Sequence, residues 1–122
     1  MPSPNFILLY VISPARSAVF YEKLLETKPV QTSPTFVMFA LDNGTMFGLW
    51  ASDGVAPAPS GHGGGGELAF TLPGETAVEA TYKHWCGLGI EIAQMPTRMD
   101  FGYTFLGLDP DGHRLRAFAP GG

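Results

Sequence analysis

The chain is poor in charge. Only 15% of its 122 residues are Asp, Glu, Lys or Arg, the formal net charge is -4, and no run of Lys or Arg occurs. Nucleic acid and anionic membrane are therefore poor partners. A single cysteine, Cys86, leaves no internal disulfide and makes a reducing cytoplasm the expected location. No stretch reaches the ~20 consecutive apolar residues that a membrane span needs. The early run FILLYVISPA imitates the apolar part of a signal peptide, but residues 1–5 carry no basic side chain, so a buried strand is the better reading. His62, His84 and His113 form no i, i+4 pair, and no nucleophile has a base beside it in sequence.

Apolar residues make up 45% of the chain, enough for one domain with a sizeable core and too much for intrinsic disorder. NFILLYVI, residues 5–12, reads as a strand. Ser13-Pro14 supplies an N-cap and a proline at the first helical position, which predicts a helix from about Pro14 to Glu26 with Ala18, Phe20, Tyr21, Leu24 and Leu25 as its apolar stripe. Residues 35–41 and 45–51 read as strands of a hairpin turned at Asn43-Gly44. Residues 52–66, rich in Gly, Pro and Ala and lacking lysine or a phosphate-loop pattern, are expected to lack regular structure and to act as a hinge. A strand at ELAFTL, a helix over 75–87, and strands at IEIAQM, YTFLGL and HRLRAF complete the pattern.

The second half repeats the first. An offset of 61 lays Tyr21 on Tyr82, Leu24 on Trp85 and Leu25 on Cys86. An offset of 68 superposes the hairpins, with Gly44 on Gly112, Gly48 on Arg116 and Trp50 on Phe118; the difference, 68 − 61, is seven extra residues in the second copy. The expected organisation is one domain over 1–122, with a first module at 1–52, a hinge at 53–66 and a second module at 67–122. A site is expected where the copies face each other.

SPARSAVFYEKLL after the first strand and LDPDGHRLRAF near the end carry a resemblance to the vicinal oxygen chelate superfamily, which includes glyoxalase I, extradiol dioxygenases and the bleomycin and fosfomycin resistance proteins. The resemblance implies an α+β fold of two βαβββ modules with cupped mixed sheets, assembled as a homodimer around a ligand. The superfamily's enzymes hold a metal through His, Glu or Gln at four equivalent strand positions, which fall here on Phe6, Gly48, Glu67 and Arg116. Only Glu67 is a possible ligand, since phenyl and hydrogen offer no lone pair and a guanidinium does not deprotonate. The expectation is no metal, no other cofactor, and a binding protein more than an enzyme. Within the superfamily, LLYV, SPTFVMF, MFGLW and FGYTFLGLDPDGHRLR resemble the phenazine antibiotic resistance proteins, which implies sequestration of a flat aromatic drug.

Alternation along TMFGLW puts Met46, Gly48 and Trp50 on one face, where Gly48 opens a slot and the indole of Trp50 forms its wall. Phe118 is the counterpart of Trp50 in the second copy. Phe6, Leu8, Tyr10 and Met46 line the rest of the cup, with the Tyr10 hydroxyl fixing orientation. Arg114 and Arg116 share a face of the last strand, where Arg116 either pairs with Glu67 or meets a ligand carboxylate. Trp85, Val78 and Tyr82 share a helix stripe and are assigned to the core, as is Tyr21. Cys86 is expected beside that stripe, buried and inert. Two other activities are compatible with the superfamily: a metal-dependent lyase or dioxygenase centred on Glu67, and a bleomycin-type binder, which would want an acidic cleft. Whether the modules pair within a chain or swap between chains is open to a chain with so flexible a hinge.

Overall fold

The computed structural model describes residues 2–61 and 63–121 and divides into two compact units, residues 1–61 and 62–122. The first unit contains β1 (Phe6–Val11), α1 (Pro14–Leu25), β2 (Gln31–Thr32), β3 (Phe36–Ala40) and β4 (Met46–Ala51). The second contains β5 (Glu67–Thr71), α2 (Glu75–Gly87), β6 (Glu91–Met99), β7 (Gly102–Leu108) and β8 (Arg114–Pro120). Each is βαβββ, and each sheet has the same order, β1-β4-β3-β2 and β5-β8-β7-β6, with the first strand parallel to the last. No helix among the described residues is long and apolar enough to cross a membrane.

Local chemistry sets the helix bounds. The Ser13 side chain accepts a hydrogen bond from the Arg16 N–H at 3.2 Å, Pro14 fills the first turn, and Glu26 ends α1 in a left-handed conformation at φ 53°. Tyr21 projects from α1 onto Phe47 of β4, ring centroids 4.8 Å apart. Burial of Tyr21, Phe39, Phe47 and Leu49 behind α1 makes that unit's core, each contributing roughly 1.5–3 kcal/mol. In the second unit Trp85, Val78, Phe105 and Leu115 do the same behind α2, where Trp85 packs edge-on to Phe105 at 5.0 Å.

Both offsets of the repeat appear as register. Phe6 pairs with Met46 and Glu67 with Arg114; Leu8 pairs with Gly48 and Ala69 with Arg116; Tyr10 pairs with Trp50 and Thr71 with Phe118. Gly44 and Gly112 take the same positive φ, 89° and 84°, in the two hairpin turns. The seven additional residues enter between α2 and β7, where β6 runs nine residues against two in β2.

Four sequence expectations are corrected. The polar pair Gln31–Thr32 forms a fourth strand in the first sheet that the hydrophobic pattern did not show. β6 runs on through Pro96 to Met99. A short 3-10 turn, Ser52–Gly54, opens the stretch expected to be irregular, and Val55 after it is buried. Cys86 is exposed: Trp85 holds the buried stripe, and the next helical residue lies about 100° round from it.

Candidate functional site

Each sheet has one face against its helix and one open face. On β4, Phe47, Leu49 and Ala51 point to the core, which leaves Met46, Gly48 and Trp50 on the open side. Register completes the surface in three cross-strand rows: Phe6, Met46 and Ala40; Leu8, Gly48 and Met38; Tyr10, Trp50 and Phe36. Nine positions carry no charge. Phe6, Leu8 and Tyr10 are 43%, 45% and 42% exposed, a large apolar area for a strand to show to solvent. The Trp50 indole stands at 79° to the Tyr10 ring with centroids 6.2 Å apart.

Gly48 is the centre of this grid, and it does not open a slot. A Cβ built there would lie 2.8 Å from Phe36 Cζ and 2.9 Å from Leu8 Cδ2, so the neighbouring side chains already close over the glycine. The missing side chain lets them lie low against the backbone and produces a continuous apolar floor beside Trp50. The sequence reading overlooked Phe36 and Met38. The period-2 pattern of FVMFA, folded back through the Asn43-Gly44 turn, is the signal that places them next to Trp50 and Gly48.

The open face of the second unit has the opposite chemistry. Arg116 occupies the position equivalent to Gly48 and is almost fully partnered. Its Nε donates to Glu67 Oε1 at 2.7 Å and its Nη2 to Glu67 Oε2 at 2.8 Å. Its Nη1 donates to Gln94 Oε1 at 2.9 Å and Thr104 Oγ1 at 3.2 Å. Those hydrogen bonds hold the Glu67 carboxyl below its ordinary pKa and the guanidinium above its own, against a burial effect that works in the opposite direction for both. Arg116 forms the expected pair with Glu67. Phe118 meets Phe101 edge-on at 5.8 Å, and the Arg116 guanidinium lies 5.9 Å from the Phe101 ring centre. Arg114 is close to Glu67 as well, Nε to Oε2 at 3.4 Å. A cleft of about 580 Å³ runs along this face, lined by Arg114, Arg116, Gln94, Met99, Leu106 and Leu108 among others. Gln94, Thr104 and Phe101 were not anticipated, because β6 carries two register shifts that break the alternation placing Gln94.

Trp85 and Tyr21 are core residues, 3% and 0% exposed, and Tyr82 packs on Phe105 at 5.4 Å. The Tyr82 phenol is raised above its ordinary pKa chiefly by hydrogen bonding with the Cys86 thiol. His84 is exposed on α2, His113 donates its backbone N–H to Asp109 Oδ1, and His62 lies outside the described residues.

Residues 3–117 match the model of the Glyoxalase/Bleomycin resistance protein/Dioxygenase superfamily. The chain belongs to that superfamily. Among curated proteins it is 31% identical, over 93% of its length and 89% of the relative's, to the phenazine antibiotic resistance protein EhpR of Enterobacter agglomerans. Among solved structures it is 47% identical to protein ATC0852 from Agrobacterium tumefaciens, determined by solution NMR, with full coverage of both chains and a TM-score of 0.91. A glyoxalase/bleomycin resistance protein/dioxygenase from Nocardioides, 22% identical, shares the fold with a TM-score of 0.85 over 98% of this chain and 84% of that one.

The metal that superfamily enzymes carry does not fit the residues found here. Phe6 and Gly48 have no donor atom, Arg116 is a cation, and the Glu67 carboxylate is paired with the guanidinium groups of Arg116 and Arg114, whose charge opposes a further cation there. Among the described residues no three His, Cys, Asp or Glu side chains are grouped closely enough to hold an ion.

Proposed function

We propose that this superfamily member binds and sequesters a planar aromatic small molecule of the phenazine type, without a metal, and so confers resistance to it. The observation that carries the reading is the uncharged nine-position face centred on Gly48, with Trp50 and Tyr10 as an edge-to-face aromatic pair on it. Similarity to a phenazine antibiotic resistance protein supports the ligand class. The protein acts as a homodimer in the cytoplasm. Aromatic contacts contribute about 0.5–1.5 kcal/mol per ring pair beyond area burial. A ligand of ~20 heavy atoms at about -0.3 kcal/mol per atom gives roughly -6 kcal/mol, a dissociation constant of tens of micromolar. At that affinity, protection requires abundant protein or removal of the complex.

Titration with phenazine, followed by tryptophan fluorescence, tests the proposal. Saturable quenching is expected, and Trp50→Ala is expected to weaken binding at least about tenfold, read by calorimetry because Trp85 still fluoresces in the variant. An unchanged dissociation constant in Trp50→Ala removes this face from the site.

A further inference from the structure

Nothing in the backbone calls for a glycine at position 48. Gly48 lies inside β4, its φ is outside the left-handed region, and a strand interior loses stability to a residue without a side chain. The repeat shows that the fold accepts a side chain there, since Arg116 holds the equivalent place on β8. The three nearest atoms that a Cβ at Gly48 would meet are tips of side chains on the open face. They are Phe36 Cζ and Cε1 at 2.8 and 2.9 Å and Leu8 Cδ2 at 2.9 Å. The glycine therefore serves the surface: it lets a ring from β3 and a methyl group from β1 settle over β4.

Phe36, Gly48 and Leu8 thus make one apolar floor across three strands. Neighbouring strands lie ~4.8 Å apart, so the row of Leu8, Gly48 and Met38 runs roughly 10 Å from end to end. The row of Tyr10, Trp50 and Phe36 borders it along the same length. A single six-membered ring covers about one strand spacing, and three fused in line cover about two. A side chain at position 48 would raise the floor at its midpoint. A two-ring molecule can lie to one side of such a step, whereas a linear three-ring molecule has to cross it.

We infer that Gly48 is a positioning residue which, acting through Phe36 and Leu8, sets the ligand length that the face accepts: three linearly fused rings laid across the strands. The inference rests on the binding reading above and adds the ring count and the residue that determines it.

Quinoxaline and phenazine, flat neutral molecules of two and three fused rings, are titrated into the full-length protein, into Gly48→Ala and into Phe36→Ala. Binding is followed by NMR through the Leu8 methyl and Trp50 indole N–H signals. The four further ring carbons of phenazine are expected to tighten binding to the wild type at least about fivefold. In both variants that gain is expected to disappear, so that the two ligands bind alike. Gly48→Ala is also expected to match or exceed the wild type in its urea midpoint, because side-chain tips yield easily and alanine suits a strand better than glycine. A role in folding alone would lower the midpoint and leave the ratio of affinities untouched. Equal binding of the two ligands by the wild type, a third-ring gain that survives Gly48→Ala, or a Gly48→Ala chain that fails to fold overturns this inference and leaves the aromatic-binding proposal standing. Failure of both ligands to bind the wild type overturns both.

Discussion

Glu67 shows how much one side chain decides. Its carboxylate is fixed by two hydrogen bonds from Arg116, whose side chain is only 13% exposed, so removal of the charge strands a largely buried cation. Because folding lowers the pKa of Glu67, the unfolded chain takes up a proton first as the solution is acidified. The stabilisation is complete above the unfolded value and is lost as pH falls through the folded one. Glu67→Gln is therefore expected to cost about 1–2 kcal/mol at pH 7, with the gap from wild type narrowing below pH about 4. Urea unfolding at several pH values reads both effects; a gap that is constant across pH removes the carboxylate's charge from the explanation. At this scale sequence reasoning reached the pairing of Glu67 with Arg116, because a cation on an inward face demands an acid on its neighbour. It did not reach the closure over Gly48. A missing Cβ is visible in sequence, whereas the rotamers of Phe36 and Leu8, on different strands, are not.

Between elements, the two copies solve one packing problem in opposite ways. At equivalent positions the first unit has Leu24 on its helix and Phe39 on its sheet, while the second has Trp85 on its helix and Gly107 on its sheet. A Cβ at Gly107 would meet Ile90 Cγ2 at 3.1 Å and the Trp85 ring at 3.2 and 3.3 Å, so the glycine is what allows the indole to lie against β7. The ring is buried and packs edge-on against Phe70 and Phe105. Gly107→Ala is expected to destabilise by about 1–3 kcal/mol, and Trp85→Leu to cost a similar amount through the cavity it leaves. Together they are expected to cost less than their sum by at least about 0.5 kcal/mol, measured as a double-mutant cycle in urea. Strict additivity would refute the exchange of volume. The helices were legible because their signals are local: Ser13-Pro14 at one start, apolar spacing along both. The edges of the sheets were less so. β2 is too short to show a period, and Pro96 argues against a strand except in a position such as β6, the outermost strand of its sheet.

For the whole molecule, duplication was the most legible feature, since two constant offsets survive in register strand by strand. How the units assemble was not, because association depends on surfaces that sequence periodicity does not order. The exposed apolar side chains of the first unit bear on this: beyond Phe6, Leu8 and Tyr10, Ile12 is 84% and Val30 60% exposed. That much apolar surface is costly to leave in water. In sedimentation equilibrium at tens of micromolar the protein is expected to run at twice its chain mass of 13.1 kDa. A mass of one chain at that concentration would rule out the homodimer.

The lone thiol has a practical corollary. It sits on α2, the helix that covers one side of its sheet, while the arginine-lined cleft lies on the other. A maleimide dye or spin label therefore has a single place to attach, away from the second unit's open surface, and needs no engineered cysteine to report on what the protein captures.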